Sequence, residues 1–269
     1  MDVVVWNMQH LRTNWKLLGA GRDLYADIHL LCEAPEPPRG VPAIGHWRTI
    51  GLADSLPLDM SVRRAWSTAV AGRAKPTYIT DARAAREYRA RPLLPFKPSR
   101  PGTWTAARVK VGRITVTAVA LYGLLDEKSD ASVHRSLSEV SPIFDHRTYG
   151  RHVLLGGDLN VFANPRADDP TRERHLSVLT RLEAYGLTNC LEKFKRPKQQ
   201  AAADPCPCGE AGCRRHWRTF RRSVAAPGLA YQEDFLFASR ALANRLEGCE
   251  VLPFQPSSDH APLRASFAS

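Results

Sequence analysis

Short runs of apolar and β-branched residues recur along the whole chain, and they most strongly limit the folds that it can adopt. Eight runs have the length and composition of strands, at 3–6, 28–34, 66–72, 103–111, 113–123, 151–161, 233–239 and 249–254. Apolar residues at helical spacing occur in four segments, at 14–26, 132–146, 172–186 and 238–246. Strands outnumber helices and several are joined by short connections, so we predict mixed sheets covered by helices rather than a doubly wound parallel sheet.

Polar side chains stand at or beside the ends of several predicted strands. They are Asn7, Glu33, Tyr122, Asp158, Asn160, Asp234, Asp259 and His260. Each alone could be an ordinary turn or loop residue. Together they supply the carboxylate, amide, phenol and imidazole groups that can hold a hard cation and orient a water molecule on a phosphate.

The stretch LLGGDLNVF, at 154–162, places two of these polar residues directly after an apolar run. Because side chains alternate along a strand, Asp158 and Asn160 are predicted to point to the same face. Gly156 and Gly157 narrow the backbone beside them. Such a pair suits either a turn or a functional site.

The charge balance favours an anionic partner. The chain has 38 Lys and Arg residues against 27 Asp and Glu, a formal net charge of +11 at pH 7. This excess favours nucleic acid through phosphate contacts and counterion release, although a basic surface without such a partner is the alternative. No apolar run is as long as a membrane span, and the first residues resemble a strand rather than a secretion signal. We therefore expect a cytoplasmic protein without membrane association.

Two basic stretches interrupt the strand pattern and are predicted to be loops on the scaffold. Residues 83–113 carry nine Lys or Arg and one acid, and residues 193–222 carry nine against two. The arginines proposed to bind substrate are Arg215, Arg218 and Arg221, which would make the two stretches the lips of one cleft. Trp217 and Phe220 could stack on bases, or could pack in the core.

Six cysteines are present, and three of them form a cluster with a histidine. Cys206, Cys208, Cys213 and His216 match the ligand types of a structural zinc site, although C-x-C-x4-C-x2-H is not a common spacing. Zinc would order a loop that core burial could not. The alternative is a surface loop of reduced, unliganded thiols. The other three cysteines lie in apolar contexts and are interpreted as buried small hydrophobes, so no disulfide framework is expected.

Six short motifs, taken in chain order, resemble those of one superfamily. The order WNMQ, LLCEAP, VALYG, GGDLNV, EDFLFAS and SSDHAPL is similar to the endonuclease/exonuclease/phosphatase (DNase I-like) superfamily, from Asn7 to Leu263. The pairing of GD-x-N with a later SDH-x-P is its most specific part. The resemblance implies one domain over 1–269, an α/β (α+β) fold built as a four-layer α/β sandwich. In it two mixed β-sheets pack face to face with outer helices.

The resemblance also implies divalent-metal-dependent hydrolysis of a phosphoester. Glu33 would bind Mg²⁺ or Mn²⁺, with Asn7 and Asp259 close to the ion. Many nucleases of the superfamily have a second acid two positions after the first-strand Asn, whereas this chain has Gln9. One-metal chemistry is therefore the expectation.

The remaining strand-end residues would act on water and phosphate. By the same resemblance, Asp158 would take a proton from the attacking water or position it, and Asn160 would hold a phosphate oxygen. His260, oriented by Asp234, and Tyr122 would contact the scissile phosphate. Thr219 would lie beside the cleft.

These implications favour a metal-dependent phosphodiesterase, most specifically a nuclease acting on DNA or RNA. One alternative is a phosphatase or phosphodiesterase on a small or lipid substrate, and another is a catalytically inactive nucleic-acid-binding module. Nothing in the sequence points to an obligate protein partner.

Overall fold

The structure of the 269-residue chain is a computed structural model. It describes residues 1–20, 23–47, 66–79, 98–125, 128–193, 206, 208–210, 213, 216–221 and 231–268. Both predicted basic loops fall partly outside these ranges, at 83–97 and at most of 194–215. The end of the first stretch is a strand from Trp104 to Val111, which confirms the strand predicted at 103–111 and corrects the loop predicted over 83–113 at this end. That 1–269 forms one domain stays a prediction.

Twelve strands and five α-helices make up the described part of the chain. The strands are β1 (Asp2–Asn7), β2 (Ile28–Pro35), β3 (Ala43–Gly45), β4 (Trp66–Gly72), β5 (Thr77–Tyr78), β6 (Trp104–Val111), β7 (Ile114–Leu121), β8 (Val153–Asp158), β9 (Leu187–Asn189), β10 (Asp234–Ser239), β11 (Leu246–Val251) and β12 (Leu263–Phe267). The helices are α1 (Asn14–Ala20), α2 (Ser129–Asp145), α3 (Arg172–Ala184), α4 (Cys190–Lys193) and α5 (Arg240–Ala243). A turn of 3-10 helix spans Gly150–His152.

The strands form two mixed sheets of six strands each. The first sheet has the order β11-β12-β1-β2-β4-β3, and the second has the order β5-β6-β7-β8-β10-β9. Strand β1 pairs with β2 in parallel, as does β7 with β8, and the other neighbours are antiparallel. The predicted mixed sheets are confirmed.

The two sheets pack face to face on an apolar core. Val5 and Leu30 from the first sheet meet Ala118, Leu154 and Leu236 from the second, and all five are fully buried. Alternate residues of each strand point into this layer because the side-chain period of a strand is two. Burying each Val or Leu side chain contributes about 1.5–3 kcal/mol, so this layer stabilises the packing of the two sheets.

The helices cover the outer faces of the sandwich. Trp15 of α1 packs against Trp6 of the first sheet, while Leu137 of α2 and Val178 of α3 pack against Phe237 of the second. The order of layers is therefore helix, sheet, sheet, helices, which confirms the predicted four-layer α/β sandwich. Within the described residues, no helix is both long and apolar enough to cross a membrane.

Several predicted element boundaries differ from those observed. The run predicted as a strand over 151–161 ends at Asp158, and the one predicted over 249–254 is β11, Leu246–Val251. The helix predicted over 14–26 ends at Ala20. Strands β3, β5 and β9 were not predicted, because two or three residues are too short to show a period. Strand β12, Leu263–Phe267, was also missed, although its apolar and polar residues alternate.

Two glycines allow the sheets to approach closely where β8 ends. Gly157 has a φ of +148°, and a Cβ there would lie 2.0 Å from the Leu121 carbonyl oxygen and 2.8 Å from Cys32 Sγ. A Cβ at Gly156 would lie 2.9 Å from Val5 Cγ2 in the other sheet. The end of β8 therefore sits against both its neighbour β7 and the facing sheet.

We expect Gly157→Ala to destabilise the protein by about 3 kcal/mol, because the new Cβ meets backbone and the left-handed φ strains any other residue. Gly248→Ala is the matched control, since a Cβ there meets nothing within 4 Å. Urea unfolding of both variants measures the difference. Equal stabilities would contradict the close approach at Gly157.

Candidate active site

The polar residues predicted at strand ends converge on one edge shared by the two sheets. Strands β1 and β2 both end at this edge, as do β7 and β8, and the antiparallel strand β10 begins there. Asn7, Glu33, Tyr122, Asp158, Asn160, Asp234, Asp259 and His260 all lie at this edge and contact one another in pairs or chains. The structure thus assembles the whole strand-end set, while the role of each residue stays a prediction.

Asp158 links the two sheets within this site. Its side chain is buried, and Asn7 Nδ2 from the facing sheet donates to its Oδ2 at 2.9 Å. The Asn160 backbone N–H donates to its Oδ1 at 2.9 Å, and Asn160 Nδ2 lies 3.3 Å from its Oδ2. Donors from both sheets therefore fix the orientation of this carboxylate.

Asn160 reaches the site by a different route from the predicted one. Strand β8 ends at Asp158, and Asn160 has a left-handed φ of +50°. The Asp158 side chain accepts from the N–H two residues on, which is an Asx turn. The two side chains are neighbours because of this turn, so the prediction that strand alternation aligns them is wrong.

A buried His–Asp pair lies beside Asp158. His260 Nδ1 donates to Asp234 Oδ2 at 2.8 Å, and His260 Nε2 lies 3.7 Å from Asp158 Oδ2 and 3.8 Å from Asp259 Oδ1. Burial by itself lowers the pKa of His260, but Asp234 and Asp158 outweigh burial and raise the pKa well above its ordinary value. The imidazole is therefore held as a cation with both ring nitrogens facing carboxylates.

Glu33 occupies a second corner of the site. The Tyr122 hydroxyl donates to Glu33 Oε1 at 2.8 Å, and His10 Nε2 lies 2.8 Å from Glu33 Oε2. The Trp66 ring packs against the rings of both Tyr122 and His10. Burial, followed by Asp158 and Glu33, raises the pKa of Tyr122, so its phenol remains a donor.

His10 was missed in the sequence. It lies one residue beyond Gln9, and it reaches Glu33 because both Gln9 and His10 have left-handed φ values, +47° and +60°. The Gln9 backbone N–H donates to Asn7 Oδ1 at 2.9 Å, which starts the turn. A histidine directly after the motif WNMQ was the only sequence signal for this residue. Its contact with Glu33 depends on the turn, which the sequence pattern does not indicate.

Backbone strain is concentrated at this site. Among the described residues, the non-glycine positions with positive φ are Gln9, His10, Glu33 and Asn160, and all four belong to the site. Glu33 also lies where the β2–β4 register shifts, a bulge that re-aims its side chain. Each such residue costs about 1 kcal/mol or more and persists only where surrounding packing holds it, as at functional sites.

Several carboxyl groups at the site have raised pKa values. Burial, reinforced by Asp234 and Glu33, raises the pKa of Asp158 to about 7, although His260 and the Asn160 N–H act in the opposite direction. Burial and then Asp158 raise the pKa of Glu233 well above its ordinary value, and burial raises that of Asp259. Glu233 was also missed in the sequence. The site thus holds more buried carboxyl groups than one imidazolium can keep ionised.

This excess of carboxyl groups suits a bound divalent cation, which would favour their ionised forms. Asp234 Oδ1 is buried and has no hydrogen-bond partner among the described residues. The available donors are carboxylate and amide oxygens, the ligands that Mg²⁺ and Mn²⁺ prefer. The residues present therefore fit such an ion.

The predicted metal ligands Glu33, Asn7 and Asp259 surround three residues whose potential ligand atoms lie closer together. In the described part of the chain, Asp158, Asp234 and His260 offer ligand atoms within 4.8 Å of one another, one of two such groups. Glu33 and Asp259 lie beside this group rather than in it. Each oxygen of Glu33 contacts one side chain, His10 or Tyr122, so each keeps a second lone pair that could face an ion.

Residues 216–221, the strap segment, run along the site. Thr219 is buried, and its Oγ1 accepts from the N–H groups of Glu233 and Asp234, each at 3.0 Å. The Phe220 ring packs on His260 at 4.8 Å between centroids. Trp217 is buried in the core between the sheets, so of the two predicted roles, stacking on bases or core packing, it has the second.

The predicted substrate-binding arginines are placed in part. The guanidinium groups of Arg218 and Arg221 lie 5.8 and 4.6 Å from the Phe254 ring centroid, and the Arg221 N–H donates to the Asp259 carbonyl at 3.0 Å. Arg215 lies outside the described residues. Two arginines thus stand beside the Asp259–His260 corner, whereas the predicted pair of basic lips stays a prediction.

The cysteine cluster also comes together. Cys206 Sγ and Cys213 Sγ lie 3.5 and 3.3 Å from His216 Nδ1, and the ligand atoms of these residues and Cys208 are within 4.8 Å of one another. The other cysteines, Cys32, Cys190 and Cys249, are buried as predicted. Cys32 Sγ also accepts a hydrogen bond from the Asp158 backbone N–H at 3.2 Å, so it helps to fix the backbone that carries the Asp158 carboxylate.

Sequence comparison assigns the chain to no family. Neither a scan against protein-family models nor a search of curated proteins gave a match.

Structure comparison does find full-length matches. The endonuclease domain of TRAS1, a telomere-specific non-LTR retrotransposon, is 16% identical with a TM-score of 0.61, over 99% of this chain and 97% of that one. An AP endonuclease from Archaeoglobus fulgidus is 16% identical with a TM-score of 0.60, over 100% of both chains. The 3′ phosphatase NExo from Neisseria, bound to product DNA hairpin, is 19% identical with a TM-score of 0.58, over 100% of both chains.

These matches confirm the fold that the motifs implied. The described part of the chain has the two-sheet α/β sandwich of the endonuclease/exonuclease/phosphatase fold, and the matches cover 99–100% of the chain. At this level of identity the comparison establishes the fold alone, and the chemistry must be argued from the residues.

We expect the metal-free protein to lose stability as pH rises from about 4 to about 7. The pKa of Asp158 is raised from 3.8 to about 7, so in this window the folded protein keeps a proton that the unfolded chain releases. One such proton lowers the free energy of unfolding by up to about 1.4 kcal/mol per pH unit. Urea unfolding in EDTA across this range measures the slope.

The Asp158→Asn protein is expected to show a shallower slope in the same measurement, because it lacks this titrating group. Asp145→Asn is the control, since Asp145 is exposed at the end of α2. Identical slopes for Asp158→Asn and the wild type would contradict the assignment.

Proposed function

We propose that this protein is a Mg²⁺- or Mn²⁺-dependent phosphodiesterase, and specifically a nuclease acting on DNA or RNA. The observation that carries the proposal is the buried group Asp158, Asp234 and His260, at the edge where the strands of both sheets meet. Asn7 and Asn160 hold its central carboxylate. The full-length likeness to nuclease structures supports it.

The metal is proposed to lie among the oxygen donors of this edge. Glu33, Asn7 and Asp259 would hold it, beside the unpartnered oxygen of Asp234. When bound, such an ion supplies positive charge to the phosphoryl oxygens and to an attacking water. A structural Zn²⁺ at the separate cysteine cluster is a second proposed cofactor.

Asp158 is proposed to take the proton from the attacking water. Burial raises its pKa to about 7 in the metal-free protein, and a bound cation would lower that pKa and favour the ionised base. The donors Asn7 Nδ2 and Asn160 N–H fix the direction of its oxygens. A base held in this way needs no rearrangement at the moment of reaction.

Phosphate charge would be met by donors around the base. His260, kept cationic by Asp234 and Asp158, can donate from Nε2 to a phosphoryl oxygen. The Tyr122 phenol and Asn160 Nδ2 would be further donors on exchanging their present acceptors, Glu33 Oε1 and the Gly123 carbonyl, for phosphoryl oxygens. Donors fixed in a buried site stabilise the extra charge of the transition state more than water does.

The substrate is proposed to be a nucleic acid because the protein has a positive net charge and the strap segment carries two arginines beside the site. The net charge is +11, and Arg218 and Arg221 are stacked on Phe254 beside the His260 corner. One structurally similar protein is described as bound to product DNA hairpin. The rival, a small or lipid phosphoester, would give little salt dependence. We further propose a cytoplasmic location.

The inactive-module alternative is opposed by the site itself. Every catalytic-type position holds a competent residue, apart from the acid replaced by Gln9.

We expect Mg²⁺- or Mn²⁺-dependent cleavage of supercoiled plasmid, single-stranded DNA or structured RNA, abolished by EDTA. Asp158→Asn should lower the rate about 10³-fold because it removes the base and its charge. Asp145→Asn, at the end of α2, should leave the rate unchanged.

Circular dichroism and urea unfolding would show that the Asp158→Asn protein is folded. Absence of metal-dependent cleavage by the folded wild type on all three polymers would overturn the nuclease proposal. Small phosphoesters would then be tested.

Binding to a labelled oligonucleotide should weaken linearly with the logarithm of salt concentration, because phosphate contacts release counterions. On the Asp158→Asn background, Arg221→Gln is expected to reduce the salt slope by about 1, whereas Arg147→Gln, exposed after α2, should leave it unchanged. Fluorescence anisotropy measures both. Equal slopes for these two variants would show that Arg221 makes no phosphate contact.

A further inference from the structure

The cysteine cluster has the form of a closed metal site, separate from the catalytic group. Cys206, Cys208, Cys213 and His216 supply three sulfurs and one nitrogen within 4.8 Å of one another. Four soft or borderline ligands suit tetrahedral Zn²⁺ and leave no open coordination position, as in structural rather than catalytic sites.

The cluster is connected to the fold by a buried amide. Asn164 is buried, and its Nδ2 donates to Cys206 Sγ at 3.4 Å. Its Oδ1 accepts from the Gln232 backbone N–H at 3.0 Å. Such second-layer donors stabilise a thiolate ligand and fix its direction. The cluster is thus tied directly to the residues that precede β10.

The strap segment starts at the cluster and is bonded on one side to the start of β10. The Trp217 N–H donates to Gln232 Oε1 at 3.0 Å, and the N–H groups of Thr219 and Phe220 both approach the Tyr231 carbonyl at 3.1 Å. Thr219 Oγ1 then accepts from the Asp234 N–H at 3.0 Å. The strap segment therefore sets the position of the strand end that carries Asp234.

The other side of the strap segment is bonded to the residues around His260. The Ala261 N–H donates to the Thr219 carbonyl at 2.7 Å, and the Arg221 N–H donates to the Asp259 carbonyl at 3.0 Å. The Phe220 ring packs on the imidazole. The strap segment thus lies between the two parts of the chain that supply the His–Asp pair.

We propose that Zn²⁺ bound by Cys206, Cys208, Cys213 and His216 fixes the strap segment and thereby positions His260 against Asp234. A catalytic role for the His260–Asp234 pair rests on the proposed function. Zinc binding and the positioning of His260 by the strap segment do not depend on it. Zinc makes the strap segment a structural bridge between a metal site and the candidate active site.

The physical reason lies in the short distance along the chain. His216 is three residues before Thr219, so at about 3.5 Å per residue a metal that fixes His216 holds the Thr219 Cα within roughly 10 Å of the His216 Cα. The sequence before the strap segment, DPCPCGEAGC, offers few apolar side chains for burial. Metal bonds replace the core contacts that this stretch lacks.

Zinc content is the first measurement, made by mass spectrometry on full-length protein purified without added zinc. Wild type and Cys249→Ala, which alters a cysteine outside the cluster, should each carry about one Zn²⁺ per chain. Cys208→Ser should lose most of it. Cobalt substitution should give thiolate charge-transfer bands in the first two proteins only. A wild type that binds neither metal would overturn the proposal.

Positioning is measured by the imidazole Nδ1–H proton resonance of His260, assigned by its absence in His260→Gln. We expect a sharp downfield signal in zinc-bound protein, and a lost or broadened one after chelation of zinc or in Cys208→Ser. If Cys208→Ser does not fold, the chelated wild type serves alone. An unchanged signal in folded, zinc-free protein would refute the positioning role.

Thr219→Val tests the link between the two sites, because it removes the Oγ1 acceptor without touching a zinc ligand. It should keep its zinc and lose the sharp His260 signal, whereas Thr219→Ser should keep both. A sharp signal in Thr219→Val would refute the role of the strap segment. These readouts need no cleavage, so a failed nuclease assay would reject the proposed function alone.

Discussion

The burial of several carboxyl groups against one imidazole, where two sheets share an edge, is the constraint on which the site depends. Asp158 receives a hydrogen bond from each sheet, and His260 lies between Asp234 and Asp158. Buried carboxyl groups in such a cluster are stable only where hydrogen-bond donors and cations contact them. Glycines at 156 and 157 make this possible, because a side chain at either position would force the sheets apart.

The rest of the molecule supports that edge. The apolar layer between the sheets and the helices outside are ordinary in composition, and their stability outweighs the cost of left-handed backbone at Glu33 and Asn160. Two metal chemistries are kept apart within one fold: oxygen donors at the strand ends, and sulfur with nitrogen donors at the cysteine cluster. The strap segment connects the two through Thr219 and Phe220.

Much of the fold could be predicted because its signals are local. The strand at 66–72 coincides with β4, Trp66–Gly72, since a run of apolar and β-branched residues reports its own conformation. The short strands β3, β5 and β9 could not be found, because two or three residues show no period. The strand-end residues were recognised as a set, yet the contact between His10 and Glu33 depends on a left-handed turn that no pattern indicates.

By itself the sequence determined the strand pattern, the apolar layers, the inventory of strand-end polar residues and the Cys–His grouping, because each is written in composition and spacing. Only the tertiary structure decided that Glu233 is buried beside the His–Asp pair, that Trp217 belongs to the core, and that Thr219 supports the strand end bearing Asp234. These facts depend on segments far apart in the chain meeting at one edge. Burial and hydrogen bonding are properties of that meeting, which spacing along the chain does not encode.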